Sequence, residues 1–180
     1  VLDSGIDAEH PDLKDNLWSN GSFFNGWNFI DNNSYPVDVT GHGTHVAGTI
    51  GAIGNNSIGI TGVCWNVQLA FFKIGDNRID LAAAISAIYF ANMMNIKILD
   101  NSWGGRIYSP ILKYAIEHYD GLFIASAGNS SSNNDLIPSY PASYNSENII
   151  SVAASTPENT LSSFSNYGVK SVDIAAPRTS

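Results

Sequence analysis

Three residues, in a fixed order, carry the chemistry of this sequence. They are Asp3 in Asp3-Ser4-Gly5, His42 in Gly41-His42-Gly43-Thr44-His45, and Asn129 in Ser126-Ala127-Gly128-Asn129. A carboxylate can fix the tautomer of an imidazole, and an imidazole so fixed is a general base near neutral pH. A side-chain amide can donate to an oxygen that turns negative in a tetrahedral intermediate. Acid, base and amide are three of the four parts of an acyl-transfer site built on an activated serine. The fourth part, a serine in a suitable setting, is not evident in the chain.

Each residue also has a plainer reading. Asp3 closes an apolar opening and could cap a turn. Asn129 could be an ordinary turn residue, and Asn129-Ser130-Ser131 is a formal glycosylation sequon, as are those at Asn20, Asn32 and Asn55. A glycan on Asn129 would contradict the oxyanion role. His42 and His45 have the i, i+3 spacing of one helical face, which metal pairs use. No glutamate lies between them and no third ligand is evident, so metal binding is set aside. His45 is read as a packed, hydrogen-bonded helix residue. The glycines flanking His42 would let a substrate backbone come close.

The elements that must hold these residues alternate in type. Short apolar runs at 67–74, 96–101, 121–127 and 149–154 read as strands, and the opening Val1-Leu2-Asp3 as the end of a buried one. Helices are expected at 42–52, opening at Gly41, at 79–94 with Asp76 or Asn77 as cap, and at 109–119 with Pro110 in its first turn. This alternation predicts an α/β fold: a doubly wound, mainly parallel sheet with helices on both faces. Sites in such sheets gather beyond the carboxyl ends of the strands. Asp3, Ser102 and Asn129 fall near such ends.

The composition narrows the function classes. The chain has 180 residues, 44% hydrophobic and 13% charged, enough for one domain with a sizeable core. Its formal net charge is −8 with 8 Lys+Arg, which argues against nucleic acid and against an anionic membrane surface. No apolar run reaches the ~18 residues of a membrane span. The acidic balance suits an extracellular, secreted protein. Cys64 is the sole cysteine, which excludes an internal disulfide, and it reads as a buried small hydrophobe between Val63 and Trp65.

Taken together these segments resemble the subtilisin-like serine peptidases, or subtilases, over essentially the whole chain. Asp3-Ser4-Gly5-Ile6-Asp7 with His10-Pro11-Asp12-Leu13 is similar to the family's aspartate segment. His42-Gly43-Thr44-His45-Val46-Ala47-Gly48 is similar to its histidine segment. Ser102-Trp103-Gly104-Gly105 resembles the edge strand that pairs an extended substrate, and Ala127-Gly128-Asn129 the specificity-pocket wall with the oxyanion amide. The resemblance implies a serine endopeptidase acting on polypeptides, with Asp3, His42 and Asn129 catalytic and Ser102, Trp103, Gly104, Ala127 and Gly128 binding substrate; the oligomeric state is left open, a monomer being the preferred reading. It also implies a structural calcium ion held by the Asp12 carboxylate, the Asn56 side chain and the carbonyls of Ile53, Ile58 and Ile60, an all-oxygen set of the kind calcium takes. Asp31 and Asp38 flank a polar loop that could hold a second ion, a solvated turn being the preferred reading.

The chain departs from the family in two places. The nucleophile string Gly-Thr-Ser-Met-Ala does not occur. Arg178-Thr179-Ser180 follows Val172-Asp173-Ile174-Ala175-Ala176-Pro177, which is similar to a segment well before the nucleophile. Ser180 is therefore not read as the nucleophile, and residues 1–180 are read as a partial catalytic domain truncated at both ends. Asp100 stands where the family more often has asparagine; close to His42 it would favour the imidazolium. The competing reading is an inactive subtilase-like binding or structural module. A nucleotide or redox module lacks its Gly-x-Gly-x-x-Gly opening.

Overall fold

The computed structural model describes residues 1–19, 21 and 25–177, so Asn20 and Arg178, Thr179 and Ser180 lie outside the described residues. The chain divides into two compact units, Val1–Ala87 and Ile88–Ser180.

The first unit is built on a parallel three-stranded sheet. Its strands are β1 (Leu2–Asp3), β2 (Gly26–Asn28) and β3 (Phe71–Lys73), with β3 in the centre. Asp3 and Asn28 both lie opposite Lys73, so β1 and β2 end level with each other. Helix α1 (His42–Gly51) packs on this sheet through one apolar cluster: Ile6, Leu13, Ala47, Ala52, Leu69 and Phe71, with Val1, Leu17, Ile50 and Val67 at its margin. Burying side chains of this size stabilises the unit by about 1.5–3 kcal/mol each for the larger residues.

Helix α2 (Leu81–Met93) follows the alanine-rich segment, and its buried residues Ala83, Ala84, Ala87, Ile88 and Ala91 recur at helical spacing. Its cap differs from expectation. Asp80, not Asp76 or Asn77, accepts the Ala83 N–H at 2.9 Å. Asp76 is drawn instead to Lys73, 2.7 Å away. The ion pair with a nearly buried ammonium outweighs a cap, because an unpaired buried lysine is costly.

The second unit holds β4 (Ile98–Asn101), α3 (Pro110–Glu117), β5 (Leu122–Ser126), β6 (Ile149–Ser155) and β7 (Ile174–Pro177), its strands parallel in the order β4-β5-β6-β7. Ser109 caps α3 by accepting the Leu112 N–H at 3.2 Å, with Pro110 in the first turn as expected. Leu112, Ala115 and Ile116 of α3 are buried, as are Leu99, Phe123, Ala125, Ile149 and Ala153 of the sheet. Both sheets are parallel and both carry helices, which is the α/β class the sequence predicts.

Three expectations change. The strand at 67–74 contracts to Phe71–Lys73. Strands β2 and β7 were not expected: Gly26-Trp27-Asn28 has no apolar run, and it is a strand only because β3 supplies its ladder. Cys64 is exposed rather than buried, with Val63 and Trp65 exposed beside it. An apolar flank in the sequence does not say which way a loop turns.

The α3 packing gives a direct check. Ser109→Ala removes one cap and should cost about 1 kcal/mol. Ile116→Ala empties a fully buried site and should cost about 2–5 kcal/mol. Urea unfolding of the two variants should separate them in that order.

Candidate active site

Asp3 and His42 meet. The His42 Nδ1 lies 2.7 Å from Asp3 Oδ1, with the Asp3 side chain 4% exposed and the His42 side chain 57% exposed. Asp3 Oδ1 also accepts the Ser4 N–H at 2.7 Å. The second oxygen, Oδ2, is buried without a hydrogen-bond partner among the described residues. Such an atom costs stability and marks a position kept for another reason. A proton on Nδ1, shared with the carboxylate, leaves the Nε2 lone pair free to accept one.

The approach depends on the glycines, though not as expected. Gly41, at φ 83°, is the N-cap of α1, a left-handed conformation that a larger residue resists. Gly43 is buried against Gly5: a Cβ on Gly43 would run into the Gly5 carbonyl oxygen and lie 3.1 Å from Gly5 N. The second glycine is thus needed for helix against strand, bringing the start of α1 onto the end of β1.

Gly41 has no side chain to cap the helix, so the cap comes from elsewhere. The Gly43 N–H donates to Ser4 Oγ at 3.0 Å, the Thr44 N–H to Asp38 Oδ2 at 2.9 Å and the His42 N–H to Thr40 Oγ1 at 3.3 Å. Asp38 also accepts from Ser4 Oγ, the Thr40 N–H and hydroxyl, the Gly41 N–H and Thr44 Oγ1. Partial burial alone would raise its carboxyl, but the donors of Thr44, Ser4 and Gly41 outweigh that and hold it down at about 2. The two carboxylates of the second-ion reading have separate partners. Asp38 is committed to α1, while Asp31 accepts from Asn28 Nδ2 at 3.0 Å. His45 is exposed rather than packed, and no cluster of three metal-ligating side chains exists among the described residues.

In the second unit, Ser102, Trp103, Gly104, Gly128 and Asn129 share one cavity of about 230 Å³ with Arg106, Ser130, Ser139 and Asn166. Ala127 is fully buried behind it. Gly105 pairs with Tyr140 in both directions, at 2.8 and 2.7 Å, whereas Trp103 and Gly104 make no backbone hydrogen bond among the described residues. That leaves an open backbone edge beside the cavity. Asn129 is exposed, and its amide makes no hydrogen bond among the described residues. Ser102 Oγ donates to Asp100 Oδ2 at 3.3 Å.

The turn that presents Asn129 is braced by two residues the sequence did not single out. Asn166 Oδ1 accepts the N–H groups of Ser130 and Ser132 at 2.8 and 3.1 Å, and its Nδ2 donates to the Ala127 carbonyl at 3.0 Å. Asn134 donates to the same carbonyl at 2.9 Å. Both are buried, and isolated loop asparagines give no spacing signal that would have found them.

The loop at 53–60 wraps the Asp12 carboxylate. Oδ1 accepts from Asn56 Nδ2 at 2.7 Å and Oδ2 from the Ile60 N–H at 3.1 Å, while the Ile53 N–H donates to the Asp12 carbonyl at 3.1 Å. Asn56 presents its nitrogen to Asp12 and its oxygen to the Ile58 N–H. Asp12 is 1% exposed and makes no ion pair among the described residues.

Comparison with known proteins identifies the family and the fold. The subtilase family model (Peptidase_S8) matches residues 1–179. Thermitase of Thermoactinomyces vulgaris is 35% identical over 182 residues, which cover 98% of this chain and 61% of thermitase. Subtilisin E of Bacillus subtilis is 38% identical over 187 residues, covering all of this chain and 46% of that protein. Subtilisin-like protease 2 of Plasmodium falciparum is 35% identical, and only 14% of it is covered. The chain therefore spans less than two thirds of the length of each of these relatives, from 14% to 61%. Among solved structures, a cold-adapted subtilisin-like serine proteinase superposes with a TM-score of 0.82 at 28% identity, over 98% of this chain and 60% of that one.

The Gly43–Gly5 approach can be tested by one methyl group. Within a helix, Gly→Ala gains up to about 1 kcal/mol. Here the Cβ has no space, and forcing it in costs about 1–3 kcal/mol, occasionally more. Gly43→Ala should therefore destabilise the chain in urea and displace His42 from Asp3. A neutral or stabilising Gly43→Ala would show that the two backbones are not in contact.

Proposed function

Because the chain belongs to the subtilase family, we propose that it forms the acid–base and substrate-binding part of a serine endopeptidase whose nucleophilic serine lies outside these 180 residues. The observation that carries this reading is the 2.7 Å contact between His42 Nδ1 and Asp3 Oδ1, with the remaining ring nitrogen on an exposed side chain.

The roles follow from the chemistry. Asp3 orients the ring and stabilises the imidazolium. His42 Nε2 takes the serine hydroxyl proton as the oxygen attacks the scissile carbonyl carbon. The Asn129 amide donates to the resulting oxyanion, and its lack of another hydrogen bond among the described residues suits that task. Collapse of the intermediate breaks the C–N bond, and His42 returns the proton to the leaving amine. Water then repeats the sequence on the acyl-enzyme. The open edge at Trp103 and Gly104 would pair with an extended polypeptide, with Ser102, Ala127 and Gly128 shaping the pocket for one side chain.

The Asp12 loop fits a structural calcium ion. A buried carboxylate with neutral donors only is a natural ligand for a hard cation. Asp12, Asn56 with its amide turned over, and the carbonyls of Ile53, Ile58 and Ile60 would hold it. When bound, calcium would supply positive charge and tie the loop to the first unit. The acidic balance favours an extracellular location. Because one relative, 36% identical, is named an intracellular serine protease, a secretion assay decides the matter.

Two measurements test the reading. In the longer protein that carries the serine, His42→Ala should lower kcat on an unfolded protein substrate by at least about 10⁴-fold, and Asn129→Ala by about 10²–10³-fold with KM little changed. The 180-residue chain alone should be inert. A folded, processed but inactive longer protein would instead favour a binding module. For calcium, adding the ion at ~100 times its Kd to chelator-stripped chain should raise Tm by about 5–10 °C, and Asp12→Ala should abolish the shift.

A further inference from the structure

We propose that Asp38 is the positioning residue of the Asp3–His42 pair, joining the start of α1 to the end of β1 through Ser4 and Thr40 so that imidazole and carboxylate are held in contact before any substrate binds. The proposal rests on reading Asp3 and His42 as the acid–base pair.

The connections are specific. Asp38 Oδ2 takes both donors of Thr44, its N–H at 2.9 Å and its hydroxyl at 2.7 Å, which fixes the third residue of α1. Oδ1 takes the Gly41 N–H at 2.9 Å and the Ser4 hydroxyl at 2.9 Å. Ser4 is covalently next to Asp3, and its Oγ in turn accepts the Gly43 N–H at 3.0 Å and the Thr40 hydroxyl at 2.8 Å. One carboxylate thus reaches, through a single intervening group, the residues on both sides of His42 and the residue after Asp3. Neither Asp38 nor Ser4 hydrogen-bonds the imidazole itself, so their effect on it passes through backbone position.

Asp38 is itself held in place. The Ile6 N–H donates to Pro36 O at 2.8 Å and the Asp38 N–H to Ile6 O at 3.2 Å, so the segment lies alongside the continuation of β1. From β3, Lys73 Nζ donates to the Val37 carbonyl at 2.8 Å. The ammonium is nearly buried and is paired with Asp76. A buried cation clamping the residue before Asp38 resists movement of the loop away from α1. A negative carboxylate at a helix N-terminus is also favoured by the helix dipole. The low Asp38 pKa keeps that charge in place throughout the working range of an imidazole base.

The alternative is that Asp38 is only a helix cap. A cap would affect stability without affecting the imidazole in the folded protein. The two are separated by nitrogen-15 NMR of histidine-labelled chain at neutral pH, which reports the ring tautomer and the Nδ1 proton shared with a carboxylate. Wild type should show His42 protonated at Nδ1 with a low-field proton signal, lost in Asp3→Asn. Absence of that signal in wild type would overturn the Asp3–His42 reading itself.

Given the wild-type signal, Asp38→Asn should remove it or exchange-broaden it in protein that remains folded by circular dichroism. The amide nitrogen can occupy only one side, so it must oppose either the Thr44 N–H or the donors of Ser4 and Gly41. Ser109→Ala, a cap in the other unit, should leave the signal unchanged. In the longer protein Asp38→Asn should lower kcat about 10²-fold with KM changed far less, the cost of a small misplacement. If Asp38→Asn does not fold, Ser4→Ala decides: it keeps the Asp38–Thr44 cap and removes the Ser4 hydroxyl that joins Asp38 and the Gly43 N–H to the end of β1. Loss of the Nδ1 proton signal in folded Ser4→Ala supports the proposal. Full retention of that signal in either folded variant overturns it.

Discussion

An α-helix begins with N–H groups that its own turns cannot satisfy, and in α1 the answer to that deficit decides where His42 stands. The N-cap is Gly41, which offers no side chain. A serine or aspartate there would cap the helix locally but would lose the left-handed backbone that turns the chain into it. The donors are met instead by Ser4, Thr40 and Asp38, residues that belong to the end of β1 and to the loop before the helix. Satisfying the helix end and bringing helix to strand are therefore one event. The bare backbones of Gly5 and Gly43 let it happen at short range, and the Asp3–His42 contact follows.

The second unit solves a different electrostatic problem with different residue types. Around the start of α1 the charged acceptor is a carboxylate, Asp38, joined by the hydroxyls of Ser4 and Thr40, and negative charge suits a helix N-terminus. Around Asn129 the bracing groups are the neutral amides of Asn134 and Asn166. If Asn129 serves an oxyanion, that choice is the compatible one. A buried carboxylate at the same place would oppose developing negative charge, with little solvent to screen it. A neutral amide can donate and accept in the same turn, so one Asn166 side chain holds two N–H groups and a carbonyl without adding charge.

Asp3, His42 and the α/β class were legible because each leaves a dense local signal. Glycines crowd around the histidine, a carboxylate closes an apolar opening, and apolar runs alternate with an alanine-rich segment. Strand β2 was not legible, since its pairing to β3 is a property of the sheet. Nor was the α2 cap: Asp76, Asn77 and Asp80 are all capable, and the deciding factor is Lys73, whose burial no local pattern announces. Asp38 was visible only as a candidate ion ligand. Its hydrogen bonds run to Ser4, 34 positions earlier in the chain, and to Thr44, on the far side of a turn whose shape the sequence does not print.

The two carboxylates of the first unit that the acid–base pair does not use make an instructive contrast. Asp38 gathers six donors from Ser4, Thr40, Gly41 and Thr44 and keeps partial contact with solvent. Asp12 is almost wholly buried, yet receives only the Asn56 amide and the Ile60 N–H among the described residues. Hydrogen bonds to a charged group contribute roughly 1.5–3 kcal/mol each, so six donors can offset the desolvation that two leave standing. The carboxylate with the deeper burial and the fewer donors is the one with most to gain from a cation. By the same measure Asp38 has less to gain, because the helix that carries His42 already supplies donors to it.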